Sequence, residues 1–240
     1  MSVVKEQPIG KIINGNSYVG RGIVLGKSQD GNSACIAYFI MGRSQNSRNR
    51  IFVENGQDVT IYPFDEKKAG DPTLIIYSPI RVIDNKVIVT NGNQTDTIYD
   101  FVKQGKCFRK ALSTREFEPD APNFTPRISG MITFDDNNDF TYQMSILKAS
   151  DDIGTSCNRF TFDYNSLNGI GHFIHTYKHD GNPIPTFEGE PERVSLPNTA
   201  SELAKDIWEN LDEENKISLY VRYIDLKTGE TENILINKNK

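Results

Sequence analysis

Hydrophobic positions recur along this chain in short β-branched runs separated by turn residues, the signature of paired strands. Ser17–Gly26 and Ser33–Met41 form the first pair, joined by Gln29-Asp30-Gly31-Asn32. Ser33–Met41 (SACIAYFIM) is nearly all apolar, so both its faces are expected to be buried. Ile51–Glu54 and Asp58–Tyr62 flank Asn55-Gly56, and Leu74–Ile83 and Lys86–Thr90 flank Asp84-Asn85. Arg127–Phe134 and Asp139–Lys148 make a hairpin over residues 135–138. Asn158–Tyr164 and Gly169–Tyr177 add two strands, and Ile217–Asp225 with Glu230–Ile236 closes the chain.

Helical spacing appears in fewer places. Asp96–Gln104 puts Ile98, Phe101 and Val102 on one face, with Thr95 or Asp96 as the N-cap,. Phe108–Thr114 is a shorter helix. Thr199–Leu211 is the clearest: Thr199 and Glu202 make a capping box, and Leu203, Ile207, Trp208 and Leu211 form an apolar stripe,. Met1–Ile13 reads as a loosely ordered lead-in, and Asp180–Pro197, rich in Pro and Gly, as loop,. Paired strands with a few inserted helices predict an α+β fold on antiparallel sheets, with residues 1–240 as one domain.

One stretch fits neither period. Glu116–Gly130 holds three prolines within eight positions, which remove backbone donors and fix φ,. It also carries Glu118, Asp120, Asn123, Thr125 and Arg127. Rigid irregular backbone bearing polar groups is what a substrate-binding loop needs.

Composition narrows the function classes. A net charge of -5 over 240 residues gives no basic footprint for nucleic acid,. No run approaches the roughly 20 apolar residues of a membrane span, and the N-terminal stretch lacks the apolar core of a signal peptide. The three cysteines are far apart, without metal spacing, which fits a reducing cytoplasm,. His172, His175 and His179 carry no metal signature, so no metal site is expected,. The Asn93 and Asn123 glycosylation matches read as chance.

Three clusters bear candidate chemistry. Residues 42–50 carry Arg43, Arg48 and Arg50 with Ser44 and Ser47, suited to a phosphate monoester, although a solvated basic loop has the same composition,. Asn91-Gly92-Asn93-Gln94-Thr95-Asp96 can offer free N–H groups to an anion at a helix start, or simply cap that helix,. Glu118 can be a general base, or staple its loop by pairing with an arginine. Tyr77 can present its hydroxyl to a pocket or pack in the core.

In combination, Tyr18-Val19-Gly20-Arg21, Arg43-Ser44 through Asn49-Arg50, Tyr77 with Arg81-Val82-Ile83-Asp84, Asn91–Asp96, and Glu118 with Asn123–Ile128 resemble the archaeal-type IMP cyclohydrolase family, which also has bacterial members. The matching motifs cover roughly Ser17–Gly130, and the later half resembles the family more loosely. The resemblance implies a four-layer αββα sandwich of antiparallel sheets, like that of N-terminal nucleophile hydrolases. It implies closure of 5-formamidoimidazole-4-carboxamide ribonucleotide to IMP with loss of water, in purine biosynthesis, without metal or organic cofactor. By motif match the catalytic roles fall on Arg43, Tyr77 and Glu118. Substrate binding falls on Arg21, Ser44, Arg48, Arg50, Asn91, Gly92, Asn93, Thr95, Asp96, Asn123, Thr125 and Arg127. Relatives also suggest a homo-oligomer. The Arg43–Arg50 loop lacks the aromatic and proline expected of the family, which bears on fine specificity. Two other readings stand beside this one: a non-catalytic purine-nucleotide-binding protein, and an amide hydrolase of the same fold. The latter needs an activated nucleophile, which the sequence does not offer.

Overall fold

The computed structural model describes residues 5–68 and 76–239. Among the described residues the chain forms two seven-stranded sheets with few helices. It opens with β1 (Gln7–Pro8) and α1 (Ile9–Ile13), then β2 (Arg21–Lys27), β3 (Ser33–Met41), the single turn α2 (Gln45–Arg48), β4 (Ile51–Asn55) and β5 (Asp58–Tyr62). There follow β6 (Ile80–Ile83), β7 (Lys86–Thr90), α3 (Gln94–Lys103), α4 (Phe108–Leu112), β8 (Arg127–Phe134), β9 (Phe140–Ala149) and β10 (Cys157–Asn165). The chain ends with β11 (Ile170–His175), β12 (Glu192–Ser195), α5 (Ala200–Asn210), β13 (Lys216–Asp225) and β14 (Thr231–Asn237).

The first sheet runs β1-β12-β11-β2-β3-β13-β14, and the second runs β10-β9-β8-β7-β6-β5-β4. The pairings are antiparallel except between β1 and β12. Side chains of β3 divide cleanly by the two-residue period. Cys35, Ala37, Phe39 and Met41 join the core under α1 and α5, with Ile9, Ile13, Leu203 and Ile207. Ala34, Ile36, Tyr38 and Ile40 face the second sheet, meeting Phe52, Val89, Ile128 and Ile146. This is why the strand reads as continuously apolar. A third core joins Ile88, Met131 and Leu147 of the second sheet to Ile98, Phe108 and Leu112 of α3 and α4. Each large apolar side chain so buried contributes about 1.5–3 kcal/mol. The sheets approach closely at Gly130, where a Cβ would stand 2.6 Å from Leu25 Cδ1. The layering is compatible with a helix–sheet–sheet–helix sandwich.

Four local expectations are corrected. Within the supposed lead-in, β1 and α1 are ordered, and Ile9 and Ile13 are buried. Asp206 Oδ2 accepts from Gly10 N at 2.8 Å, tying α1 to α5. Five residues are too few to show a helical period, so only this docking reveals the helix. Glu192–Ser195, inside the supposed loop, pairs with both β11 and β1. The loop over residues 42–50 contains α2, closed by a Ser44–Ser47 capping box. Helix α3 starts at Gln94, with Asn93 rather than Thr95 or Asp96 at the N-cap. The early part of the expected Leu74–Ile83 strand lies outside the described residues, and the observed strand begins at Ile80.

Candidate active site

The candidate chemistry gathers at one end of the paired sheets. Arg21 opens β2, Arg43 follows β3, and Arg50 precedes β4. Tyr77 lies before β6, Arg127 opens β8, and Tyr177 follows β11. Between them lies a cavity of ≈ 510 Å³ lined by Tyr18, Arg21, Arg43, Arg50, Glu118 and Tyr177, with Ser44, Ser47, Pro119, Asp120, Asn123, Thr125 and Ile184.

Its floor is unusual in charge. The Nε atoms of Arg21 and Arg50 are buried and have no hydrogen-bond partner. None of the ion pairs among the described residues involves either arginine. Burial lowers the Arg50 pKa, the neighbouring Arg21 lowers it further, and Tyr77, Tyr38 and Glu118 oppose both. Burial also acts to lower Arg21, but Tyr18, Tyr77, Tyr177 and Tyr38 around it outweigh burial, and its pKa is raised. Two like charges held together without an ion pair to either are costly, and an anion in the cavity relieves that cost,. Tyr77 stands beside them, its hydroxyl 3.1 Å from the Tyr38 hydroxyl. Burial raises the Tyr77 phenol, with Arg50 and Arg21 pulling it back.

The proline-bearing loop forms one wall. Glu118 N donates to Thr125 O at 2.9 Å, and Thr125 N donates to Asp120 Oδ1 at 2.6 Å. Thr125 Oγ1 also donates to Asp120 Oδ2 and meets the Tyr177 hydroxyl at 2.6 Å. Asp120 is therefore tied into its loop. Glu118 Oε1 lies 3.4 Å from Arg127 Nη1, so the pairing that can staple this loop is present. The glutamate side chain is still 33% exposed, which leaves it reachable from the cavity.

Not every expected residue lines the cavity. Arg21, Arg43, Ser44, Arg50, Glu118, Asn123 and Thr125 do. Arg48 turns away, donating to Gly42 O at 2.9 Å and Asn215 Oδ1 at 2.8 Å. Asn91 is a buried pin: its Nδ2 donates to Pro126 O at 2.8 Å and its Oδ1 accepts from Ile128 N at 2.9 Å. Thr95 Oγ1 is 2.6 Å from Thr90 Oγ1 and donates to Gly92 O. Asp96 pairs with Arg81 at 2.8 Å, away from the cavity. Asn93 Oδ1 accepts from Arg115. Arg127 Nη1 donates to Gln94 Oε1 at 2.8 Å, behind Glu118. Gly92 lets these groups close up, since a Cβ there would stand 2.6 Å from Arg127 Nη1 and 3.1 Å from Glu118 Oε1.

Arg43 sits at the rim. Its Nη1 donates to Asp180 Oδ1 at 2.5 Å and to Gly181 O at 2.8 Å, and its guanidinium lies 5.2 Å from the centre of the Tyr18 ring. Sequence reasoning assigned no role to Tyr18, Tyr177, Tyr38 or Asp180. Tyr18 stands in a motif already noted beside Arg21, so it was the one within reach. Among the described residues, no group of three or more His, Cys, Asp or Glu is placed to hold a metal ion.

Comparison with known proteins decides the family. A model of the IMP cyclohydrolase-like proteins matches residues 18–230. The chain belongs to the IMP cyclohydrolase-like family. An IMP cyclohydrolase of Methanococcus maripaludis is 37% identical over 124 residues, covering 50% of this chain and 60% of that protein. Those of Methanosphaera stadtmanae and Methanopyrus kandleri are 37% and 35% identical, over 48% and 47% of this chain and 57% of each relative. The chain thus spans about 60% or slightly less of the curated relatives it matches. The family match runs through Glu118 and Arg127 and on past Tyr177 to residue 230, so it covers the whole cavity.

Proposed function

We propose that this protein is an IMP cyclohydrolase, closing 5-formamidoimidazole-4-carboxamide ribonucleotide to IMP with loss of water. The observation that carries the reading is the Arg21–Arg50 pair, free of ion pairs, in one cavity with Glu118, with Tyr77 next to the two arginines but behind the residues that line the cavity. The substrate is an anion whose reaction develops further negative charge on oxygen, and this floor suits both.

The carboxamide nitrogen attacks the formyl carbon of the same molecule. A C–N bond forms, the formyl oxygen gains negative charge and then a proton, and the attacking nitrogen loses one of its two protons. The new hydroxyl takes a second proton and leaves as water, while the former formamide nitrogen gives up its proton and the C=N bond of the aromatic ring forms. Holding the two reacting groups together supplies much of the acceleration. The motif match put Arg43 at the oxyanion, but Arg50 is the better placed guanidinium. It acts on Tyr77 and Glu118, whereas Arg43 is engaged by Asp180. We therefore assign oxyanion stabilisation to Arg50 with Arg21, and proton movement to Tyr77 and Glu118. Asn123 and Thr125 face the ribonucleotide, while Asn91, Gly92 and Thr95 fix the turn that carries Gln94, the acceptor of Arg127.

The layered cores support a four-layer sandwich of the N-terminal nucleophile hydrolase type, with residues 1–240 as one domain. The free cysteines Cys35, Cys107 and Cys157 fit a cytoplasmic enzyme,, and a homo-oligomer is the assembly we expect. Incubating the purified chain with the formamido ribonucleotide and following IMP by ultraviolet absorbance tests the activity. Turnover above the spontaneous rate is expected. Tight IMP binding without turnover would replace the enzyme with a nucleotide-binding protein.

A further inference from the structure

The segment from Lys178 to Phe187 crosses the rim of the cavity. At its base Lys178 N donates to Pro185 O at 2.9 Å and Phe187 N to Thr176 O at 3.0 Å, so the segment is a closed turn. It is fastened on two sides. Ile184, a cavity residue, donates its N–H to Asn123 Oδ1 at 3.3 Å. On the other side Asp180 Oδ1 holds Arg43 Nη1 at 2.5 Å, and Gly181 O accepts from the same nitrogen.

Three arginines line this cavity against two carboxylates, and Asp120, one of the two, is consumed by Thr125. Asp180 does not line the cavity, yet it neutralises the arginine at its rim. The Arg43 and Asp180 side chains are 36% and 41% exposed, so water screens their attraction,. A phosphate monoester offers a guanidinium two oxygens and a second negative charge, a stronger partner than one screened carboxylate oxygen. An ion pair that weak at a cavity rim is exchangeable.

We propose that Asp180 is a resident counter-anion for Arg43, displaced by the phosphate of the incoming ligand, and that it thereby sets the affinity of the cavity for phosphate monoesters. The inference rests on the nucleotide reading of the cavity only in taking the ligand's anion to be a phosphate. While the site is empty, Asp180 holds Arg43 against Tyr18 and keeps the segment fastened. When phosphate arrives, Arg43 exchanges one acceptor for another, and the carboxylate is released to water. Each binding event therefore works against the Asp180 charge.

The substitution Asp180→Asn isolates that charge, because the amide oxygen can still accept from Gly181 N, which now donates to Asp180 Oδ1 at 2.8 Å. Inorganic phosphate and IMP are titrated by calorimetry, at one low salt concentration, into the full chain, Asp180→Asn, Arg43→Gln and the double variant. Asp180→Asn is expected to tighten both ligands about two- to fivefold, the range of a screened ion pair. In the Arg43→Gln background the same change is expected to do nothing. Unchanged or weaker binding in Asp180→Asn overturns the proposal, as does tightening that persists without Arg43. Phosphate binding does not depend on ring closure. Tightening in a chain that forms no IMP would therefore sink the catalytic reading alone, and turnover with unaltered affinities would sink this one alone.

Discussion

At the scale of single residues, the proposed reaction divides its work among three groups around the cavity. On that proposal Tyr77 and Glu118 move protons, and Arg50 meets the oxyanion. Tyr77→Phe and Glu118→Gln are expected to lower kcat by about 10²-fold or more with small effects on KM, since proton transfer belongs to the transition state. Arg50→Met is expected to cost about 10²–10³-fold in kcat, as loss of an oxyanion donor does. Arg43→Gln should instead act mainly on KM. Steady-state kinetics of the four variants decides the assignment, and a kcat loss confined to Arg43→Gln would return the oxyanion role to Arg43. Which residues mattered was partly legible. Glu118 stood out because prolines fix the backbone around it, and its dual reading as staple or catalyst persists in the Arg127 pair. Asn91 was not separable from a ligand contact, because an Asn beside Gly has the same spelling whether its amide faces an anion or pins Pro126 and Ile128. Side-chain direction is set by the fold, not by spacing.

At the scale of elements, local chemistry was read well at α5 and at the hairpin turns, but not at the Ser44–Ser47 box or the N-cap of α3. The Thr199 and Glu202 box is present: Thr199 Oγ1 accepts from Glu202 N, and Glu202 Oε2 accepts from Thr199 N at 3.2 Å. Thr199→Ala is expected to destabilise the chain by about 1 kcal/mol, seen as a lowered urea midpoint with unchanged slope. The hairpins over residues 84–85, 135–138 and 226–229 likewise follow from their turn residues and alternating flanks. The missed elements β1, α1 and β12 are two to five residues long, and their stability is tertiary. Strand β12 exists through its neighbours β11 and β1, and α1 through its buried isoleucines and Asp206. The Asp180 segment was read only as loop, since its contact with Arg43 joins positions 137 apart.

At the scale of the whole molecule, the two sheets share one core, and charge inside it links stability to pH. His172 on β11 faces the second sheet, its Nδ1 2.7 Å from the Tyr142 hydroxyl and its ring stacked 3.6 Å from Tyr164. Burial, aided by Arg193, pushes its pKa down to about 4. Unfolded, the same imidazole titrates near its ordinary value of 6.5. Between these values the unfolded chain binds a proton that the folded chain refuses. The stabilisation is therefore complete above pH 6.5 and declines as pH falls towards 4. Urea midpoints are expected to drop between pH 7 and pH 5, and His172→Gln to flatten that drop. An equally steep drop in the variant would place the titration elsewhere. The half-buried polar cluster that His172 forms with two tyrosines was not legible in the sequence, where it appeared as one histidine among three without metal spacing.

On the proposed reading of the cavity, Arg21 and Arg50, which make no ion pair among the described residues, would couple ligand supply to the lifetime of the protein. An empty chain holds two guanidinium groups in mutual repulsion, and any anion that settles between them relieves it. By mass action the occupied form is the more resistant to opening, increasingly so as ligand rises above its dissociation constant. Chains without ligand are then expected to be the ones more exposed to unfolding and proteolysis.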